Sequence, residues 1–390
     1  MSNKWFETVA QARQQAKKRL PKSVYAALIG GTEAGVSLRD NVSAFEELGL
    51  RPITAGQIAE PKMAVTVMGQ RCAMPVIVSP TGVQAVHPQG EVALAQAANS
   101  RGTPIGLSAF SSKPIEEVVA ANPQTFFQVY WAGDRDFMLK CLERAANAGA
   151  AGLIVTLDWS FSHGRDWGSP HIPQSLTAKE VLPHSFEIVT KLPWCWSWLR
   201  AGALPRLQVP NFAAAGEPEP RFFEAYGTWL NTPPPTWDDV RWLRSQWEGP
   251  FMVKGISRAD EARHAIAAGA TAISVSNHGG NNLDSAVAPI RVLPEIADAV
   301  GGEVEILLDG GVRRGSDVVK ACALGADAVL IGRALLWGLA ANGAVGVENV
   351  LDIFHTGIKA TLRGIGKENI AQVGVQDVVV PPGFYPPPCG

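Results

Sequence analysis

The sequence predicts an α/β protein built as a closed barrel of eight parallel strands, a (β/α)8 or TIM barrel. Two observations carry this prediction: eight short apolar, β-branched segments, and helix-forming stretches between most of them. Several of those stretches end in a glycine suited to a helix C-terminus. A doubly wound open sheet is the structural alternative, but the count of eight and the lack of a GxGxxG turn after the first strand favour the barrel. The strand segments lie at 74–80, 103–110, 125–131, 151–159, 250–256, 272–280, 305–311 and 328–334.

The order of these segments predicts one domain spanning 1–390. The stretch QARQQAKKRLPKSVYAALIGG predicts one or two helices that end at Gly30 and Gly31. A long insertion with no clear βα unit separates the fourth and fifth strands. Nine tryptophans lie between Trp159 and Trp247, and most of them are in this insertion. A loop this long at the C-terminal face of a barrel is typical of a lid over the active site, with a subunit contact as the alternative. The predicted parts are a helical cap (1–60), strands one to four (74–159), the insertion or lid (160–249), strands five to eight with closing helices (250–364) and a Pro-rich tail (365–390).

Composition restricts the classes of protein that remain. A hydrophobic content of 46% with 18% charged residues is typical of a globular chain, and a formal charge of −2 without a basic block argues against nucleic acid. The five cysteines form no CxxC and the start is charged and amphipathic, so we expect reduced thiols, no signal peptide and a cytoplasmic location. No apolar run reaches the ~18 residues of a membrane span. The segment LPWCWSWLRAGALPRL, from Leu192, is too short and Pro-interrupted to span a membrane but could rest on an interface.

Glycines and arginines follow the seventh and eighth strands. The seventh ends in Asp309, Gly310 and Gly311 with Arg313 close behind, and the eighth ends in Gly332 and Arg333. Glycine lets a ligand approach the backbone closely, and arginine presents a planar fork of donors to phosphate oxygens. This end of a TIM barrel is where phosphate groups bind. We therefore predict a phosphate site here.

Titratable groups follow three other strands. Lys254 lies in the apolar fifth strand, where a buried ammonium needs an anionic partner, and would suit an electron-rich ring system or a Schiff base. His278 follows the sixth strand, and we predict that it acts as a general base oriented by Asp158 at the end of the fourth. Gln128 and Tyr130 are two residues apart on the third strand, so both face the same way.

These motifs together resemble the FMN-dependent α-hydroxy acid dehydrogenase/oxidase family, which includes glycolate oxidase, lactate oxidase and mandelate dehydrogenase. The resemblance covers nearly the whole chain and implies an FMN-binding barrel in which a hydride passes from the substrate Cα to flavin N5. It also implies a small-molecule substrate, oxygen or an electron carrier as acceptor, no metal, and a homotetramer or larger assembly. The matching pieces are LPKSVY, SPTG, FFQVY, VTLD, VKGI, SNHGG, LDGGVRRGSDVVKACALGAD and IGR.

The resemblance also implies individual roles. His278 would take the substrate proton with Asp158 as its partner, Tyr130 would hydrogen-bond the substrate, and Arg165 would help to hold a carboxylate. Lys254 would sit at flavin N1/O2, where a cation stabilises the anionic reduced ring. Asp309, Gly310, Gly311, Arg313, Gly332 and Arg333 would hold the phosphate, while Pro80, Thr81, Gly82, Ser108, Gln128, Thr156 and Ser276 would surround the ring.

Two departures from the family pattern concern the substrate. The family's arginine, three residues after the catalytic histidine, is Asn281 here, and its second tyrosine falls at Ala27. Loss of a charge-assisted pair with the substrate carboxylate disfavours a simple 2-hydroxy acid and favours a neutral carbonyl that Asn281 can bind. This matches a branch of the family that acts on a 3-aminopyrrolidinone, a lactam derived from a peptide's C-terminal Val-Tyr, and deaminates it oxidatively to an α-keto lactam.

Three other interpretations remain open at this point. The first is an (S)-2-hydroxy acid oxidase or dehydrogenase in which Arg165 alone anchors the carboxylate. The second is a barrel without flavin, such as an aldolase with Lys254 as its Schiff base. The third is an inactive, FMN-binding interaction protein whose Trp-rich insertion is the contact surface.

Overall fold

The barrel strands lie where the sequence predicts them and close on themselves. The computed structural model describes residues 6–82, 85–158, 164–169, 185, 189–205 and 207–387. Eight parallel strands pair in chain order, and the eighth returns to the first through Val329 opposite Val76. The closed sheet confirms the (β/α)8 barrel and rules out the open doubly wound sheet. The barrel strands are β4 (Val76–Val78), β5 (Ile105–Ser108), β6 (Thr125–Tyr130), β7 (Gly152–Thr156), β8 (Phe251–Ile256), β9 (Ala272–Val275), β10 (Glu305–Asp309) and β11 (Ala328–Ile331).

Four short strands of the described residues lie outside the barrel. β1 (Gly49–Leu50) pairs with β12 (Val378–Val379), and β2 (Val65–Val67) forms a hairpin with β3 (Gln70–Cys72). The hairpin packs into the interior of the barrel, where Val67 and Met68 join a fully buried cluster with Phe126. Because side chains from the hairpin and the strands fill this interior, any ligand site is displaced to the C-terminal ends of the strands.

The helices follow amphipathic patterns with recognisable ends. The helix after β6 begins at Asp134, whose side chain accepts a hydrogen bond from Phe137 N at 2.8 Å, and buries Met138, Leu142 and Ala145 on one face. In chain order the helices are Val9–Arg19, Lys22–Ile29, Val36–Glu47, Gly90–Ser100, Ile115–Ala121, Arg135–Asn147, Leu192–Arg200, Phe222–Asn231, Trp237–Ser245, Ala259–Ala267, Pro289–Val300, Gly315–Ala323 and Arg333–Gly364, with 3-10 turns at Pro210–Phe212, Ile370–Gln372 and Val375–Asp377.

One helix of the insertion belongs to the barrel itself. Trp237–Ser245 begins with a capping box between Thr236 and Asp239 and buries Val240 and Leu243. It lies beside the helix Arg135–Asn147, since Arg135 pairs with Asp239 at 3.0 Å. The expectation that 160–249 contains no βα unit is therefore wrong at its end. The many aromatic residues of the segment obscure the apolar periodicity of this short amphipathic helix in the sequence.

The long helix Arg333–Gly364 is broken in the middle. Asn342 and Gly343 have non-helical backbone angles, with φ of −153° and 61°. The two halves fold back closely, because a Cβ on Gly338 would lie 2.5 Å from Gly346 O. In the described part of the chain this is the one helix long and apolar enough to cross a membrane, but 78% of its apolar window is buried against protein. Burial of this kind is typical of a core helix.

Candidate active site

A buried cluster of three polar side chains joins the ends of three neighbouring strands. The ammonium of Lys254 on β8 lies 2.9 Å from Asp309 Oδ2 and donates to Ser276 Oγ at 2.9 Å, and this hydroxyl in turn donates to Asp309 Oδ1 at 2.8 Å. All three residues are less than 10% exposed. Burial opposes the charge of Lys254, but Asp309 and then Asp158 outweigh it, so its pKa is raised above the ordinary value. The site therefore holds a fixed positive charge at its base.

His278 and Asp158 form the predicted pair. Nδ1 of His278 lies 3.0 Å from each carboxylate oxygen of Asp158. Burial acts to raise the pKa of Asp158, but the imidazole of His278 and the ammonium of Lys254 outweigh burial. The pKa of Asp158 is therefore below its ordinary value, and the carboxylate stays ionised at neutral pH. An ionised carboxylate at Nδ1 leaves Nε2 as the nitrogen that can accept a proton.

The backbone and Tyr130 position the other side of the imidazole. His278 has a left-handed φ of 54°, and its N–H donates to Ser276 Oγ at 3.0 Å. The hydroxyl of Tyr130 lies 3.5 Å from His278 Nε2. Burial, followed by Asp158 and Asp309, raises the pKa of Tyr130, so its hydroxyl remains a donor at neutral pH. A left-handed backbone conformation is strained for a histidine, and such strain is common at functional sites. Here it holds the imidazole of His278 between Asp158 and Tyr130.

Two buried polar atoms on β6 and β7 test whether a flavin fits. Gln128 and Ser108 are register partners, as are Thr156 and Lys254 on the next pair of strands. Among the described residues, Gln128 Nε2 and Thr156 Oγ1 are buried without a hydrogen-bond partner. Buried donors are rarely left unpaired, so they indicate a ligand rich in acceptors. The pyrimidine edge of a flavin carries such acceptors, so these two atoms fit this class of cofactor.

Glycines form the turns at the phosphate end. Gly310 and Gly311 have φ of 98° and 86°, and a Cβ on Gly311 would overlap the carbonyl of Asn41 in the cap. A Cβ on Gly332 would lie 3.4 Å from Thr81 Cγ2, which places the loop after β4 against the loop after β11. Thr81 is partly buried with Pro80, while Gly82 is exposed. The predicted ring-side and phosphate-side loops are therefore brought together.

Two partly buried arginines mark where an anion would bind. Arg333 donates to the carbonyls of Ile29 at 2.9 Å and Gly279 at 2.6 Å, and Arg313 donates to Val312 O at 2.7 Å. Burial, and then the charge of Arg333, lowers the pKa of Arg313 to about 9. Burial lowers the pKa of Arg333 to about 10. Two like charges that influence each other and donate to neutral carbonyls suit a phosphate dianion.

Arg13 and Trp337 extend this phosphate end and were missed by sequence reasoning. The guanidinium carbons of Arg13 and Arg313 lie 5.3 Å and 4.9 Å from the ring centre of Trp337. All three residues line a cavity of about 1450 Å³ that also includes Arg333. Arg13 comes from the first helix of the cap, and no motif indicates that this helix reaches the barrel end.

Two of the residues predicted to bind the substrate, Asn281 and Arg165, contact the cap. Asn281 is exposed, and its Oδ1 accepts a hydrogen bond from Gly31 N at 2.6 Å. Arg165 donates to Ala26 O at 3.0 Å and is half-buried, which lowers its pKa. Ala26 is adjacent to Ala27, the position of the family's second tyrosine. The cap loops therefore meet both residues predicted to bind the substrate.

The insertion supplies an aromatic wall beside Tyr130. Trp229, on the insertion helix Phe222–Asn231, has its ring centre 4.5 Å from that of Tyr130, and Phe110 lies 5.5 Å from Tyr130. Phe222 and Phe212 pack against Phe110 at 5.8 Å and 5.1 Å. The predicted contact between the insertion and the site is found in this part of it. Residues 159–163, 170–184 and 186–188 lie outside the described residues, so the prediction of a lid stays a prediction there.

A polar network that ties the cap to the barrel was also missed. Asn41 and Asn277 exchange two amide hydrogen bonds of 2.8 Å, and both side chains are buried. Asp284 accepts from the backbone N–H groups of Val36 and Ser37 at 3.1 Å and 2.9 Å and so caps the third helix from a distant loop. No local spacing in the sequence could predict these contacts, because their partners are more than 200 residues apart.

Comparison with known sequences agrees with this geometry. Residues 16–380 match the model of the FMN-dependent dehydrogenase family. Pre-mycofactocin synthase from Mycolicibacterium smegmatis is 61% identical over 97% of this chain and 95% of its own. Pre-mycofactocin synthase from Mycobacterium tuberculosis is 59% identical over 98% and 97%. L-lactate dehydrogenase from Xanthomonas oryzae pv. oryzae is 38% identical over 93% of each chain.

Solved structures agree as well. A crystal structure of (S)-mandelate dehydrogenase, described as a monotopic membrane protein, has a TM-score of 0.84 and 32% identity over 97% of this chain and all of its own. An arginine-to-leucine variant of mandelate oxidase, solved with 2-hydroxy-phenylacetamide, has a TM-score of 0.75 and 32% identity over 94% and 97%. An aldolase without flavin is thereby excluded. This chain belongs to the FMN-dependent dehydrogenase family and is an FMN-dependent oxidoreductase.

Proposed function

We propose that this enzyme oxidises a 3-amino-pyrrolidinone, the lactam derived from a C-terminal Val-Tyr, to an α-keto lactam in mycofactocin biosynthesis. The two relatives at 61% and 59% identity bear the name pre-mycofactocin synthase, which supports the pathway. The chemistry of the altered substrate residues supports the substrate.

The single observation that carries the proposal is the orientation of Asn281. Its oxygen accepts from Gly31 N–H, so the carboxamide is held with its NH2 group as the remaining polar end. An NH2 group is a neutral donor of two hydrogen bonds. It suits the carbonyl oxygen of a lactam, whereas a carboxylate is bound best by an arginine fork. The site thus favours a neutral acceptor at this position.

Arg165 is held against the cap, which leaves fewer of its donors for a substrate carboxylate. One of its donors is held by Ala26 O in the cap, and the residue lies on a loop that meets Glu33 by a bridge of main-chain hydrogen bonds. Ala27, exposed beside this contact, provides no hydroxyl. The space that a tyrosine would occupy there remains available for a larger substrate. The aromatic wall of Phe110, Tyr130 and Trp229 suits the hydroxybenzyl group of such a lactam.

The residues that move protons are retained. His278 Nε2 takes a proton from the substrate, and Asp158 at Nδ1 stabilises the imidazolium that results. Tyr130 donates a hydrogen bond near Nε2 and positions the reacting amine. Bound FMN supplies the two-electron oxidant and Lys254 a compensating charge. The Cα–H bond would give up a hydride, that is two electrons and one proton, to the flavin, and the amine nitrogen would give up the second proton to His278. Water then hydrolyses the resulting imine to the ketone and ammonia.

Anaerobic flavin bleaching tests the proposal. The enzyme with bound FMN is mixed with a 3-amino-5-(4-hydroxybenzyl)pyrrolidinone or with (S)-lactate, glycolate or (S)-mandelate, and absorbance is followed. We expect reduction by the aminolactam and formation of ammonia and ketone in equal amounts. Reduction by the hydroxy acids but not by the lactam would replace the proposal with an (S)-2-hydroxy acid oxidase or dehydrogenase, the activity named for the 38% identical relative. A flavin that neither set reduces would favour an interaction protein.

A further inference from the structure

An exposed apolar surface lies on the insertion, on the helix Leu192–Arg200 and the turn after it. Leu192, Trp196, Leu199 and Leu204 are 69%, 66%, 68% and 68% exposed. We call these four residues the Leu192 patch. Single exposed leucines are ordinary, but four large apolar side chains within thirteen residues of one segment indicate a contact surface.

The helix is nevertheless well anchored. Its opposite face buries Trp194 and Trp198, which are 7% and 6% exposed and pack edge to face at 6.2 Å. Trp194 Nε1 donates to Ala85 O at 2.9 Å. The Leu192 patch is therefore the outward side of an ordered amphipathic helix.

The charged side chains of the segment that carries the patch have one sign. Between Val189 and Gly216 the sequence contains no Asp or Glu, while Lys191 and Arg200 border the helix. Lys191 Nζ donates to Lys18 O at 2.9 Å, so the basic end of the helix Val9–Arg19 lies next to it. Lys17 and Lys18 there are exposed. An apolar face with tryptophan and leucine and a basic rim is the pattern of interfacial helices.

We propose that the Leu192 patch docks this enzyme on the surface of an anionic lipid bilayer. The leucines and Trp196 would enter the headgroup region, and the lysines and Arg200 would attract acidic lipids. A second copy of the chain is a poorer occupant, because two identical basic rims would face each other and repel.

Docking would have a consequence for the site. Ala85, to which Trp194 is bonded, follows the strand β4 and the loop with Pro80 and Thr81. The Leu192 patch is therefore at the C-terminal end of the barrel, the end that holds the flavin residues. Docked in this way, the enzyme would exchange substrate or electrons close to the membrane surface.

Vesicle flotation tests the proposal. The full chain with bound FMN is mixed with vesicles of phosphatidylcholine alone or with 30–40% phosphatidylglycerol (roughly the acidic fraction that gives strong electrostatic attraction) at low and high salt. We expect binding to the acidic vesicles that weakens with salt. The variant Trp196→Ser with Leu199→Ser should lower the partition coefficient by about tenfold or more. Arg200→Gln should lower it for acidic vesicles only.

A matched control removes apolar side chains elsewhere. Val375→Ser with Tyr385→Ser changes two residues that are 61% and 41% exposed outside the patch, and should leave binding unchanged. FMN content and flavin reduction should be normal in all variants. The proposal is overturned if the wild type stays off acidic vesicles, or if the patch variant floats as well as the control. Dissociation of an oligomer by the patch variant, seen by sedimentation without a change in flotation, would assign the patch to a subunit contact.

Discussion

The two halves of the active site differ in how they are built. The redox half, made of Lys254, Ser276, Asp309, Asp158 and His278, comes from strand ends joined by hydrogen bonds and ion pairs of 2.8–3.0 Å. The substrate half, with Asn281 and Arg165, is bonded to backbone groups of the helical cap. Groups fixed by a closed sheet have few alternative positions, whereas groups held by cap loops can change with the cap. With the proposed roles, the redox chemistry resides on the barrel and the choice of substrate is made where the barrel contacts the cap.

The substitution with the largest expected effect disables the redox half and leaves the substrate half unchanged. His278→Asn removes the proton acceptor at Nε2 while it leaves the buried Lys254–Asp309 pair in place. Loss of a general base should slow flavin reduction by about 10²–10⁴-fold. Stopped-flow absorbance at saturating aminolactam measures this, with bound FMN per chain as the control. A rate within a few-fold of the wild type would disprove the assignment of the base.

The next prediction concerns the phosphate end. Arg313→Gln removes a partly buried cation that stacks on Trp337, and should weaken FMN binding by about 10–100-fold, the order expected for a charge-assisted contact. Fluorescence titration of the apoprotein with FMN and with riboflavin measures it. Because riboflavin lacks the phosphate, its affinity should change little. Equal losses for both flavins would show that the substitution disturbs the fold and not the phosphate site.

A double substitution should move the substrate half toward hydroxy acids. Asn281→Arg with Ala27→Tyr restores the two carboxylate contacts that the family uses. We expect kcat/KM for (S)-mandelate to rise by about 10–100-fold, the order expected for hydrogen bonds to a charged group. The aminolactam should become a poorer substrate. If neither changes, the shape of the pocket decides the substrate and the charge does not.

The smallest effect tests the orientation of the Asn281 amide. Asn281→Asp keeps an oxygen for Gly31 N–H but replaces the NH2 donor with a second acceptor. We expect KM for the aminolactam to rise about tenfold, the order of one hydrogen bond, with FMN affinity unchanged. Asn281→Ser, which can still donate, is the matched variant and should lose less. Equal losses in the two variants would argue against a donor role.

The residues at the strand ends could be predicted from the sequence, whereas the contacts of the cap and the insertion could not. The positions of Lys254, His278, Asp158 and the glycine turns followed from apolar strands that end in polar residues, because parallel strands bring those ends to one edge of the barrel. The helix Trp237–Ser245 escaped this reasoning, since tryptophans obscured its period. Arg13 and Trp337 escaped it because a contact between the cap and the barrel has no local pattern.

By itself the sequence determined the barrel, through strand periodicity, and the cofactor class, through motifs that resemble the FMN-dependent family. Only the tertiary structure decided that Asn281 Oδ1 is held by Gly31, that Gln128 and Thr156 present unpaired polar atoms among the described residues, and that the Leu192 patch faces outward. These features depend on which distant backbone groups approach each side chain. Such distances arise only after the cap and insertion have packed on the barrel.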